Sequence, residues 1–426
     1  MKMRIVHSVR RWGTRATFSI LDQGLFSGAN FIFNILLVRW LLPSEYGAFV
    51  VAFSLFLFGS GFHNALLLEP LTVLGAKRKA TDLDQYLGQQ CWLHLGFSAI
   101  VTALLLLIGF GLVAVGSSVG RALLSAALCA PFILFHWLLR RACYLDYKVT
   151  LATISSALYA SILVSSLLII QLSHNLSVAR SFWIFAFAST ITGVFLIFKL
   201  NIHRHLFSEN QRLDNLKRIA LENWNYGRWS SGSTVVSWIS TTAYTPLIGS
   251  TLGLAQAGAF RAMQNLVQPL QQLLVALNLL WLPHFSKTYQ ENSSALTSAF
   301  RTSVQANLFM SLGYLGALLP FSTHVIDLLY GAETYTEYTF LLYYFGCFML
   351  LMAMRQAYTS VLMAMLRPDT IFRAQVVSAT FTLSIGLAIL YAFELTGALV
   401  SMVVGTGSAL CVLVHYWRML KPSQHS

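Results

Sequence analysis

Residues 18–38 read FSILDQGLFSGANFIFNILLV. At 1.5 Å per residue this stretch is long enough to cross a hydrocarbon core about 30 Å thick, and Asp22 is its only charge. It is a membrane span with a marked face. Asp22, Phe26, Asn30 and Asn34 recur every fourth residue with Gln23 and Ser27 beside them, so one side of the helix is polar.

Working outward, the whole chain has the same character. Its 426 residues are 56% hydrophobic and 10% charged, against about 25% charged in soluble domains. Runs long enough to span lie at 18–38, 46–68, 93–115, 122–139, 150–172, 182–198, 229–249, 258–282, 303–321, 338–365, 371–393 and 397–417. The seventh and eighth are the most polar, rich in Ser, Thr, Gln and Asn. These runs predict an all-α integral membrane protein of about twelve transmembrane helices in two six-helix lobes. The lobes are 1–200 and 229–426, joined by a cytoplasmic basic linker at 201–228.

Charge sets the orientation. The chain carries 28 Lys and Arg against 15 Asp and Glu, a net +13. In a soluble protein that balance would point to nucleic acid. In a membrane protein an excess of Lys and Arg marks cytoplasmic loops. With both termini in the cytoplasm, nearly all the basic residues fall inside. Arg39, Arg121, Arg180 and Arg261 lie at outer span edges, and Arg355 falls within a span. In the linker, Lys217, Arg218 and Arg228 alternate with Leu213, Leu216, Ala220 and Trp224 at helical spacing. This pattern predicts an amphipathic helix against anionic headgroups. No cleaved signal peptide is read at the N-terminus. The five cysteines show no metal spacing, and neither a metal nor another cofactor is expected.

The two halves echo one another. Gly47-Ala48-Phe49 and Gly258-Ala259-Phe260 each open the second span of a half, and the two glycines stand 211 positions apart in a chain of 426. Six spans per half make the repeat parallel. Transporters built from such repeats bind substrate near the repeat interface and alternate access.

Polar residues inside a bilayer are costly and tend to be functional. The eighth span carries Arg261, Gln264, Gln268, Gln271, Gln272 and Asn278 down one side. The seventh is dense in Ser and Thr, and the second holds Ser54, His63 and Asn64. Spans one, two, seven and eight are therefore expected to line a cavity. Uncharged amides and hydroxyls suit a hydroxyl-rich ligand such as a glycan, with Asn30, Asn34, Gln264, Gln268, Gln271 and Gln272 as its contacts. Arg355 lies too deep to snorkel easily, so an anion should face it, either a protein carboxylate or a ligand phosphate. Arg39 and Arg261 are further candidates for the same anion. Asp22 and His63 fall at similar depth, which makes a proton-coupling pair one expectation; a permanent structural ion pair, or a pairing of Asp22 with Arg15, are the others. Pro131, Pro246 and Pro269 are expected to bend their spans.

Three stretches resemble a known family. They are 21–31 (LDQGLFSGANF), 39–49 (RWLLPSEYGAF) and 63–70 (HNALLLEP). Together with Leu329-Tyr330-Gly331, they are similar to polysaccharide biosynthesis proteins of the oligosaccharide flippase type, in the superfamily that also holds multidrug and toxic compound extrusion antiporters. The resemblance implies a V-shaped bundle in the bacterial inner membrane. It further implies undecaprenyl-diphosphate-linked glycan as substrate, moved from the inner to the outer leaflet for O-antigen or exopolysaccharide synthesis. Polysaccharide polymerase and assembly proteins are then the expected protein partners. A cation-coupled drug antiporter of the same fold is the alternative, although it calls for more intramembrane carboxylates than Asp22. A membrane-embedded polymerase or glycosyltransferase is a third reading. The short outer loops and the lack of a Ser-His-Asp set or phosphate-binding loop speak against it.

Overall fold

The computed structural model describes residues 2–76, 78, 80–145, 148–204, 213–291, 295–331 and 333–420. Among them every regular element is helical. The chain divides into two compact units, Met1–Thr234 and Val235–Ser426.

The first unit contains α1 (Lys2–Trp40), α2 (Pro43–His63), α3 (Glu69–Gly75), α4 (Ala80–Ala114), α5 (Ser118–Leu145), α6 (Val149–Leu172), α7 (Val178–Lys199) and most of α8 (Leu213–Thr241). Local chemistry sets the helix starts. α2 opens with Pro43 in its first turn, where a missing N–H costs nothing. Glu45 accepts from the Leu42 N–H at 3.3 Å, closing the exposed end. Ser177 caps α7 by accepting from the Arg180 N–H at 3.4 Å. A single π turn, Asn64–Leu68, joins α2 to α3. Toward one end of the unit, Leu67, Leu71, Tyr86, Leu138, Leu139, Leu196 and Ile219 form a packed core. Ile100, Leu104, Leu107 and Phe110 of α4 stay exposed, as suits helices whose outer solvent is lipid.

The linker differs from expectation. Residues 205–212 lie outside the described residues, but from Leu213 one uninterrupted helix runs through Thr241. Its first turns are docked on the first unit. Ile219 and Asn223 are buried, Arg78 bonds Glu222 at 2.7 Å, and Gln90 and Asn223 exchange amide bonds at 3.3 and 3.1 Å. A Cβ at Gly227 would stand 2.3 Å from the Ala65 carbonyl oxygen, so α8 crosses the π turn at backbone distance. Lys217, Arg218, Leu221, Trp224 and Arg228 remain exposed on its other side.

The second unit contains the end of α8, then α9 (Tyr244–Thr251), α10 (Leu254–Glu291), α11 (Ala295–Leu318), α12 (Ser322–Tyr330), α13 (Leu341–Ala364), α14 (Pro368–Phe381) and α15 (Leu387–Leu420). Pro246 cannot donate to the carbonyl four residues earlier, at Thr242, and there the chain breaks between α8 and α9. Gly331, at φ 64°, ends α12 in the left-handed conformation. α14 and α15 are joined through a π turn, Thr382–Gly386. Within the stretch that follows, Phe393 (φ −127°) and Glu394 (φ 51°) leave helical geometry, and the chain folds back on itself. A Cβ on Gly397 would meet the Ile389 carbonyl at 2.1 Å, and Gly386 faces Ser401. Residues 368–420 are therefore a helical hairpin. Phe285, Leu296, Phe300, Val361, Leu413 and Trp417 anchor this unit's core.

Among the described residues, nine helices are long and apolar enough to cross a membrane, or ten if the bent pair Ala295–Leu318 and Ser322–Tyr330 is one span. That count takes 368–420 as one segment and leaves out α8, which is too polar. The repeated Gly-Ala-Phe holds equivalent places. Gly47 and Gly258 each stand four residues into α2 and α10, with Phe49 and Phe260 buried behind them.

Candidate functional site

The polar face of α1 turns into the first unit and meets α5 and α6. Asp22 is wholly buried. Arg140 grips its carboxylate with two N–H groups, Nη2 to Oδ2 at 2.7 Å and Nε to Oδ1 at 3.2 Å. Ser156 donates to Oδ1 at 2.5 Å, and the Tyr144 hydroxyl donates to Oδ2. Arg140 also reaches Gln23 at 3.2 Å and lies 4.2 Å above the Phe26 ring. A charge withdrawn from water needs this many partners to be tolerated. The carboxylate is saturated, and the guanidinium, with 14% of its side chain exposed, retains an open Nη1.

This geometry pairs Asp22 with Arg140 and not with His63. His63 instead faces His94, Nε2 to Nδ1 at 3.0 Å, with the rings nearly perpendicular. Asp22 and His63 thus belong to separate networks. The Arg15 side chain lies outside the described residues. Farther along α1, the Asn30 and Asn34 amides bond carbonyls of their own helix at 2.7 and 2.9 Å. Tyr159 donates to Asn30 at 3.2 Å. His136, sandwiched with Phe26 and Tyr159, is fully buried with neither ring nitrogen bonded.

Arg140, Tyr144 and Ser156 went unread in the sequence. Hydropathy ends the fourth span at Leu139 because the paired charges of Arg140 and Arg141 look like a loop. Helix α5 continues to Leu145. The available signal was spacing, since Arg140 and Tyr144 are four apart and share the helix face that meets Asp22.

In the second unit, the amide stripe of α10 lies away from the packed side of its helix. Phe260, Met263, Leu266, Val267, Leu270 and Leu274 are buried. Gln264 and Gln268 are half-buried, and Gln271 and Gln272 are exposed. Arg261 holds Gln264 at 2.8 Å, and Ser360 of α13 donates to Asn278. Arg39 is exposed at the end of α1.

Arg355 stands apart from these. It lies roughly 14 Å along α13 from Ala364, at 1.5 Å per residue, and is half-buried. Among the described residues it has no hydrogen-bond or ion-pair partner. Near mid-span, a guanidinium left unpaired is costly and needs an anion or water from outside the chain. Among the described residues no cluster of His, Cys, Asp and Glu could hold a metal ion.

Comparisons with known proteins place this geometry in context. No curated protein matches the chain. A multidrug resistance MATE family transporter of the MOP superfamily, in an inward-facing conformation, aligns at TM-score 0.70 and 14% identity, over 94% of this chain and 97% of that one. The lipid II flippase MurJ, inward closed, aligns at TM-score 0.73 and 14% identity, over 95% and 87%. A MOP superfamily transporter from Pyrococcus furiosus aligns at 0.64 and 15%, over 95% and 94%. At such identities the likeness is one of fold. The family model for polysaccharide biosynthesis proteins matches residues 36–340, and the chain therefore belongs to that family, as a multi-pass membrane protein with a transporter fold.

Proposed function

We propose that this chain translocates undecaprenyl-diphosphate-linked oligosaccharide units from the cytoplasmic to the outer leaflet of the bacterial inner membrane. It would work by alternating access, supplying surface polysaccharide synthesis. The observation that carries this reading is Arg355, a half-buried membrane cation without a partner among the described residues. A diphosphate supplies the missing charge, and guanidinium binds phosphate oxygens with paired N–H groups. Gln264, Gln268, Gln271 and Gln272 offer donors and acceptors to sugar hydroxyls, and Arg261 and Arg39 are secondary anion contacts.

Twelve spans with both termini cytoplasmic complete the proposal. The hairpin at Phe393 and Glu394 supports counting 368–420 as two spans, and α8 adds the polar seventh. Residues 1–200 and 229–426 are then the two lobes, with anionic lipid headgroups against exposed Lys217, Arg218 and Arg228 of the linker 201–228. Coupling to an ion would pass through Asp22 and His63, each acting with the partner it has here, Arg140 and His94. The drug-antiporter alternative loses ground, because Asp22 already has its donors and offers little to a cationic drug.

The test is to delete the gene and ask on which face of the membrane the lipid-linked saccharide collects. Accumulation of completed units on the cytoplasmic face is expected. Accumulation of unfinished units, or on the outer face, would overturn the proposal.

A further inference from the structure

Two cavities share the first turns of α7, and they differ in chemistry. One has a volume of about 340 Å³ and is of mixed lining, with Ser44, Glu45, Ser118, Arg121 and Ser177 set among alanines and Val178. The other, of about 400 Å³, is an open groove between α6 and α7 walled by Ile169, Ile170, Trp183, Ile184 and Phe187, with Arg180 at its edge. Ile169, Trp183 and Phe187 are exposed. Both belong to the first unit, at the end where α2, α5 and α7 begin, which the charge distribution places outside. Arg180 bonds the Asn175 carbonyl, and among the described residues neither it nor Arg121 has a carboxylate partner.

A chamber that offers three hydroxyls and a carboxylate, a cation beside it and an apolar groove match the three parts of one amphiphile. We infer that this is an outer-leaflet docking site for the translocated product, with saccharide at Ser44, Ser118, Ser177 and Glu45, diphosphate between Arg121 and Arg180, and prenyl chain in the groove. Along α7, Ser177 to Arg180 is a rise of about 4.5 Å, so the head and chain sites adjoin. Ordinary phospholipid would use the groove and Arg180 but leave the hydroxyl-lined chamber unused. The inference rests on the proposed substrate and extends it to a site remote in sequence from Arg355.

The experiment places a photoreactive p-benzoylphenylalanine at Ile169 in the full chain, held in phospholipid nanodiscs. Undecaprenyl diphosphate bearing one glucose is added as probe, and adducts are identified by mass spectrometry. The expected result is a probe adduct that falls about tenfold with Arg180→Glu, as a charge-assisted contact is lost and reversed. The adduct should also fall with Ser118→Leu, which fills the polar chamber, and persist in Arg355→Ala. Adducts with phospholipid only, no adduct, or a probe adduct indifferent to Arg180→Glu would overturn the inference. Failure of the substrate reading would look different: Arg355→Ala would transport normally while outer docking stood.

Discussion

Asp22 receives donors from α5 and α6, and the energetics of that site depend on which partner is removed. Arg140→Ala leaves a buried carboxylate without its counter-charge, and we expect it to lower stability by about 3–5 kcal/mol. The double variant Asp22→Asn, Arg140→Gln removes both charges and should recover most of that loss, as thermal unfolding in detergent would show. Arg355 predicts the opposite separation. With no partner among the described residues to strand, Arg355→Ala should unfold at or above the wild-type temperature while transport fails, and Arg355→Lys should restore part of it by keeping the charge. Asp22 and Arg355 were both legible in sequence because a charge in an apolar run is conspicuous. Arg140 was not, since it sits where the span reaches its boundary, and the tertiary partner that keeps it in place lies 118 positions away.

Single elements show how backbone contact decides what hydropathy cannot. Eleven of the twelve expected spans fall on helices that hydropathy recovers, once the α14–α15 hairpin is opened into its two arms and the bent α11–α12 pair is taken as one span; α10, polar as it is, is among them. α8 does not pass, because its serines and threonines bond carbonyls of their own helix, as Ser231, Thr234, Ser240 and Thr241 do, and so lose their polarity only in the folded helix. That it runs on from the linker and docks on the π turn was invisible to periodicity, since the contact is made by Gly227 and not by a side chain. Gly227→Ala must push α8 off Ala65, at about 1–3 kcal/mol. Hydrogen exchange should then rise in 213–234 while α10 is unaffected. The amide stripe of α10 was legible by its spacing and does lie off the packed face of its helix. The α1 amides share that spacing but are spent on helix carbonyls and Tyr159, a distinction that only neighbouring helices make.

For the molecule as a whole, the proposed orientation would account for a net charge of +13 on a chain only 10% charged. In the proposed topology the basic residues gather on the cytoplasmic side. A fluorescent protein fused after Ser426 should therefore be bright, whereas alkaline phosphatase inserted near Glu337 should be active, because that connection would lie outside. In the proposed mechanism a lipid-linked saccharide would cross the bilayer with its diphosphate on Arg355. Its most direct test is flipping in proteoliposomes, with undecaprenyl-diphosphate-linked saccharide on one leaflet and a membrane-impermeant lectin reading the other. Exposure should depend on the protein and fall to the protein-free rate in folded Arg355→Ala. Equal exposure with and without protein, or wild-type exposure in that variant, would contradict it.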